Sequence, residues 1–434
     1  MNPQEKAAQQ ERMRWFAHDR FGMFIHWGIY SVPARGEWVR SKEHMPLEDY
    51  QLYFDEFNPV DYDPRAWARA AKEAGMKYAV LTAKHHDGFC LFDSKLTEFT
   101  AMHTPFKRDI VREFLDAFRA EGLRVGLYYS LLDWHHPDYP HFGDEFHPMR
   151  ENEAYKDAAH TFDTYLDYMH AQVRELCTGY GKLDIMWFDF SYGKMVGEMW
   201  RGTELVNMVR SFHPDILIDN RLEVGGVGFG SLLTAEPNVY SGDFCSPEQI
   251  IPPKGIFRDD GQRAVWEACV TMNGNWGYAE RDTNYKPAPL LIKKLVECVS
   301  KGGNLLLNVG PDARGCIPAP SLGILSEIGA WMAKNGQSIY GAGHADLDKP
   351  DTGRITRKGK TIYYHVMENC IGPIPLYGIA REDIASVRLL ATGAEIKLSD
   401  HWASWNYPEL AFISLGDRPT LPDTTDTVVQ INLK

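Results

Sequence analysis

The chain has 434 residues, 44% of them hydrophobic and 24% charged, the balance of a globular protein with a sizeable core rather than of a disordered or low-complexity one. Its 59 acidic against 46 basic residues leave a formal charge of -13, which argues against a nucleic-acid partner because phosphate binding needs clustered Lys and Arg. The sequence holds no apolar run of about 18 residues and opens on the polar stretch MNPQEKAAQQERMRW, so the expectation is a cytoplasmic protein with no membrane span and no secretory leader.

In chain order, the first predicted strand is GMFIHWG (22–28), followed by a helical pattern over 63–76 and the strand YAVLTAKH (78–85). A helix over 108–121 leads to RVGLYYS (124–130), and one over 155–177 leads to LDIMWFD (183–189). DILIDNR (215–221) comes next, then two weaker strand candidates at 240–244 and 268–272, a helix over 288–300 and NLLLNVGP (304–311). Short buried runs alternating with amphipathic helices predict a parallel sheet closed into a (β/α)8 barrel of TIM type. The stretch 222–263 is rich in Gly and Pro with little helical pattern, so the barrel is expected to be distorted there. Beyond it, RITRKGKTIYYHVM, SVRLLATGAEIKL, ELAFISL and TVVQINL alternate in strand fashion and predict a C-terminal antiparallel β-sandwich packed on the barrel. The expected domains are 1–340, the catalytic barrel, and 341–434, the sandwich.

Cys90, Cys177, Cys245, Cys269, Cys298, Cys316 and Cys370 are dispersed singly, with no C-x-x-C pair, and read as reduced structural thiols. Polar residues gather at the C-terminal ends of the predicted strands: His26, His85 and His86, Tyr128, Asp189 and Arg221. In a barrel these ends meet on one face, where active sites of this architecture form. Taken singly, each is more often a packing or hydrogen-bonding residue, and Trp187 and Trp276 read equally as core. Neighbours on an extended strand point to opposite faces, so His85 and His86 are not expected to share a metal ion unless the strand ends between them, and no metal or other cofactor is predicted.

Cleavage of a glycosidic bond needs one acid to protonate the leaving oxygen and a second carboxylate to meet the positively charged sugar carbon. Asp189 closes an apolar strand at the catalytic end, whereas Asp184 opens it at the opposite end, so Asp189 is the better nucleophile. For the acid/base, Glu236, Asp243, Glu248 and Glu267 all lie in or near the irregular repeats, and the residues alone do not choose among them.

At these positions the chain resembles the α-L-fucosidases of glycoside hydrolase family 29, through FGMFIHWGIYSVPA, GEWV, AKHHDGFCLF, KRD, GLYYS, WFD, GDFCSPE, WEACVTM, NWGY and SKGGNLLLNVGP, in order over residues 15–340. The resemblance implies a retaining α-L-fucosidase acting on oligosaccharides with terminal α-L-fucose. It puts Asp189 in the nucleophile position and Glu248, in SPE, in that of the acid/base, with Glu267 and Asp243 as alternatives. His26, Glu37, Trp38, His85, His86, Tyr128, Trp187 and Arg221 would surround the fucose, with Trp276 shielding its C6 methyl. Competing readings are a transfucosylase or a retaining glycosidase for a related sugar, and a non-catalytic fucose-binding protein. The loop 133–150, carrying Trp134, His135, His136, Tyr139 and His141, reads as a leaving-group wall or as a histidine-rich surface. A homo-oligomer is compatible with the sequence.

Overall fold

The structure is a computed structural model that describes residues 3–226, 228–369, 371–416 and 420–434; Cys370 lies outside the described residues. The strands of the first sheet are β1 (Phe21–Ile25), β2 (Tyr78–Lys84), β3 (Arg124–Ser130), β4 (Ile185–Asp189), β5 (Leu217–Ile218), β6 (Glu267–Thr271) and β7 (Asn304–Val309). They lie in the order β5-β4-β3-β2-β1-β7-β6, every pair parallel. The strands are apolar along nearly their whole length because helices cover one face and the barrel interior the other.

The gap between β5 and β6 is closed without a regular strand. Residues 244–248 run through it and touch both neighbours only by isolated bridges, Asp219 with Phe244 on one side, Cys245 with Trp266 and Glu248 with Cys269 on the other. The strand expected at 240–244 is therefore absent, and Val239–Ser241 is instead a 3-10 turn. Pro247, Pro252 and Pro253 supply no N–H to a ladder, which is why the eighth position stays irregular. The fifth strand also shrinks, from the expected 215–221 to two residues.

The helix Pro64–Glu73 starts where Asp63 accepts the N–H groups of Arg65 and Ala66, with proline at its first turn. The helix Ile110–Ala120 starts on Asp109, which accepts the Arg112 N–H. The helix expected over 155–177 begins later, at Phe162, after a short 3-10 turn at Glu153–Tyr155. The N-terminal helix Pro3–Asp19, not anticipated from periodicity, closes the floor of the barrel: Met13 and Phe16 join Phe24, Tyr78, Tyr128, Trp187 and Phe244 in the interior cluster.

The C-terminal part contains β8 (Gly353–Lys358), β9 (Thr361–Val366), β10 (Ile374–Leu376), β11 (Ile384–Leu389), β12 (Ala411–Ile413) and β13 (Thr427–Leu433). They form an antiparallel sheet β11-β13-β9-β8 and a pair β10-β12. Alternation decides which side chain faces which core: Ile362, Tyr364 and Val366 pack inside the sandwich, while Tyr363 and Val428 join the core of the barrel. Arg354 on β8 also pairs with Glu297 of the helix Ala288–Ser300 at 2.9 Å. Among the described residues, no helix is long and apolar enough to cross a membrane.

Candidate active site

Most polar side chains of the site stand at or just past the end of a strand. His26 follows β1, His85 and His86 follow β2, Tyr128 lies near the end of β3, Asp189 ends β4, Arg221 follows the short β5, and Glu248 comes from the irregular stretch that fills the eighth position. Phe24, His26, Trp38, His85, His86, Tyr128, Trp187, Asp189, Phe190, Glu248, Cys269 and Trp276 line one cavity.

Arg221 organises the two carboxylates. Its Nη1 donates to Asp189 Oδ1 at 3.0 Å and its Nη2 to Glu248 Oε2 at 3.1 Å, while Nε donates to Ser246 Oγ at 2.9 Å. The guanidinium lies over the Trp187 ring, 4.9 Å from its centroid. Tyr128 donates its hydroxyl to Asp189 Oδ2 at 2.8 Å, and Trp276 donates Nε1–H to Glu248 Oε1 at 3.2 Å. Asp189 is 13% exposed and Glu248 34%, so one acid sits deep and the other near the mouth. Burial raises the Asp189 carboxyl to about 6, against the pull of Arg221 in the opposite direction.

His85 and His86 both belong to the cavity because β2 ends at Lys84, freeing the chain to turn; their ring centroids are 4.0 Å apart. Opposite-face geometry does not apply past the strand end, yet among the described residues there is no group of three or more His, Cys, Asp or Glu arranged to hold a metal ion. His86 shares a hydrogen bond with Ser130 Oγ at 2.7 Å, and His26 with Asn308 Oδ1 at 2.7 Å. Burial lowers His26 to about 3 and pushes His85 and His86 well below the usual histidine range, so all three are neutral imidazoles at physiological pH.

Glu37 and Arg221 do not line the cavity; they brace it. Glu37 is buried and accepts the Gly277 N–H at 2.8 Å, fixing the turn that presents Trp276. Phe24, Phe190 and Cys269 line the cavity and were missed from sequence, although Phe190 directly follows the WFD string and Cys269 lies within WEACVTM. Phe190 has φ 85°, a conformation costly for an aromatic residue. This turn sets its ring against Trp38 and His86, at 5.2 and 4.8 Å between centroids.

The loop 133–150 is packed rather than a loose surface. Trp134 and Tyr139 are buried, and the Trp134 and Phe146 rings pack on Trp38, beside the cavity. Asp133 anchors its start through a fully buried ion pair with Lys84 at 3.0 Å.

Three acids weighed as the proton donor lie elsewhere. Glu236 is exposed. Glu267 opens β6 at the N-terminal end of the barrel, where Tyr78 donates to it, and burial raises it to about 8. Asp243 is buried between Arg12 at 2.8 Å and Arg210 at 3.0 Å and accepts the Ile218 N–H, tying the N-terminal helix to the barrel floor. Asp243→Ala strips both arginines of their buried partner, so urea denaturation should show a loss of about 3 kcal/mol in unfolding free energy with turnover per folded molecule unchanged.

Two carboxylates held on one guanidinium in a cavity lined by aromatic rings and neutral histidines are the equipment for glycosidic bond cleavage, and with the barrel they define the class: the barrel glycoside hydrolases. The family model described as Alpha-L-fucosidase matches residues 1–337. The chain is 31% identical to an α-L-fucosidase of Dictyostelium discoideum over 357 residues, 76% of this chain and 71% of that one. Its structure is similar to that of α-L-fucosidase isoenzyme 1 from Paenibacillus thiaminolyticus, with TM-score 0.95, 56% identity and coverage of 98% of this chain and 100% of the other. It is also similar, at TM-score 0.82 and 28% identity over 98% of this chain and 96% of the other, to a Bacteroides thetaiotaomicron α-L-fucosidase trapped as a covalent intermediate with 2-fluoro-fucosyl fluoride in a Glu-to-Gln variant. The chain belongs to the α-L-fucosidase family.

Proposed function

We propose that this protein is a retaining α-L-fucosidase that releases terminal α-L-fucose from fucosylated oligosaccharides, with Asp189 as nucleophile and Glu248 as acid/base. The observation that carries the reading is the Asp189–Arg221–Glu248 bridge opening onto the cavity lined by His26, His85, His86, Tyr128 and Trp276. In the first step an Asp189 oxygen forms a bond to C1 while the C1–O bond to the leaving group breaks, and Glu248 gives its proton to the departing oxygen. In the second, Glu248 takes a proton from water, the water oxygen bonds to C1, and the Asp189 carboxylate leaves. The covalent species in the Bacteroides relative supports the same sequence of events.

Charge counting supports the division of roles. With Arg221 positive, Asp189 negative and Glu248 protonated, the free trio is neutral; once Asp189 is esterified, neutrality returns with Glu248 ionised, the form that acts as base. Trp276, already held on Glu248, offers its face to the C6 methyl, and the neutral histidines serve the ring hydroxyls as donors and acceptors. Five of the described cysteines are buried and all six are unpaired, which favours a reducing compartment, the cytoplasm; fucosidase activity found only outside the plasma membrane on cell fractionation would refute that placement.

Asp189 must be ionised to attack, and its raised pKa puts the acid limb near neutrality: kcat/KM should fall with acid below about pH 6, and it should fall again in alkali because the same step needs Glu248 protonated. The acid limb belongs to the coupled carboxylate pair, and Arg221→Gln, which withdraws the charge that favours ionised Asp189, should move it to higher pH. The reading as a whole is tested by incubation with an aryl α-L-fucoside, following the products by NMR. The α anomer of fucose should appear first and mutarotate; β-fucose first, or no release, would overturn it.

A further inference from the structure

β4, which carries Asp189, pairs with β5 at two positions only, Ile185 with Leu217 and Met186 with Ile218. Past Ile218 the chain turns away from β4 and Asp219 makes its main-chain bridge to Phe244 on the other side. The turn is tight, since Gly242 has φ 74° and a Cβ there would stand 2.1 Å from the Asp219 carbonyl oxygen. The Phe188 N–H, one residue before Asp189, therefore meets no β5 carbonyl and donates to Asp219 Oδ1 at 3.0 Å.

Asp219 is fully buried, and its Oδ2 has no hydrogen-bond partner. Arg221 is two residues on, yet its guanidinium nitrogens donate to Asp189, Glu248 and Ser246 and not to Asp219, which its main-chain N–H alone approaches. An ionised carboxylate in that position would be a buried charge with no direct ion-pair partner, beside a second carboxylate, a costly arrangement. Burial raises its pKa well above the ordinary range, and the ionised Asp189 raises it further; Arg221 opposes both.

We propose that Asp219 is a positioning residue: as a neutral acid it stands in for the missing β5 main chain, holding Phe188 and so the height of the Asp189 carboxylate against the sugar carbon. The inference rests on Asp189 being the nucleophile. The roles so far assigned around Asp189 require nothing of Asp219, and its carboxyl does not line the cavity.

The test compares Asp219→Asn with Asp219→Ala on an aryl α-L-fucoside, with functional sites counted by their reaction with 2-fluoro-fucosyl fluoride. Asparagine keeps an acceptor oxygen and no charge, so kcat per site should stay within about twofold of the parent and the acid limb of kcat/KM should not move. Alanine removes the acceptor; kcat per site should fall about 10²-fold while KM changes less than about threefold, the signature of a displaced nucleophile rather than of lost binding. A moved acid limb in the asparagine variant would mean that Asp219 acts through charge, and parent-like kcat per site in the alanine variant would mean that it positions nothing; either overturns the proposal. If the alanine protein does not fold, the asparagine variant decides alone by its kcat and acid limb. Failure of the underlying nucleophile assignment would show differently, as hydrolysis that survives Asp189→Gly.

Discussion

Asp189→Gly is expected to lose hydrolysis of an aryl α-L-fucoside by about 10⁴-fold or more, because among the described residues Glu248 is the one other carboxylate lining the cavity and it is needed as the acid. The site is not otherwise dismantled. Arg221 keeps Glu248 and Ser246, and the deleted carboxyl is one whose ionisation burial already opposes, so the melting temperature should stay close to that of the parent. The space left by the side chain admits a small anion from the same face. With azide present, Glu248 still protonates the leaving oxygen, and the product should be β-fucosyl azide, with inverted configuration. Hydrolysis at the parental rate would remove the central assignment.

Glu248→Ala should fail in a different way, one that depends on the leaving group. An oligosaccharide leaves as a poor alkoxide and needs the proton, so turnover on such substrates should drop by about 10²–10⁴-fold. An aryl group with a low pKa leaves unaided; the fucosyl-enzyme then forms and accumulates, seen as a burst of phenol followed by slow release. Azide needs no base and attacks that intermediate, giving α-fucosyl azide with retained configuration. The two variants are thus separated by the anomer of a single product. Should Glu267→Ala yield the α-azide and Glu248→Ala not, the acid/base role would pass to Glu267, against its place at the opposite end of the barrel.

Much of the barrel was legible because strand and helix patterns are local. The runs around Met23, Leu81, Leu127, Met186 and Leu306 carry their own evidence of burial, and in a parallel barrel each strand end points to the same mouth. His26, Tyr128 and Asp189 could thus be assigned to one face before any contact was known. The same logic placed His85 and His86 at that mouth, but the predicted strand ran one residue past the true end at Lys84, so the argument that their side chains point to opposite faces did not apply.

What the string of residues could not settle was the choice among Glu236, Asp243, Glu248 and Glu267 from chemistry alone; only the resemblance to known fucosidases favoured Glu248. All four are acids in a Gly- and Pro-rich stretch or at its edge, and their surroundings are made by segments far away in the chain. Arg12, more than two hundred positions upstream, is half of what neutralises Asp243; Tyr78, on β2, is what Glu267 meets; and Glu248 reaches the cavity because Pro-interrupted residues cross the gap between β5 and β6 and put it beside Arg221. Periodicity reports which face of a segment is apolar, a property of neighbours within a few residues. Whether a carboxyl ends up charged, paired or neutral depends on the dielectric and the partners that chain closure brings to it, and these exist only in the folded molecule.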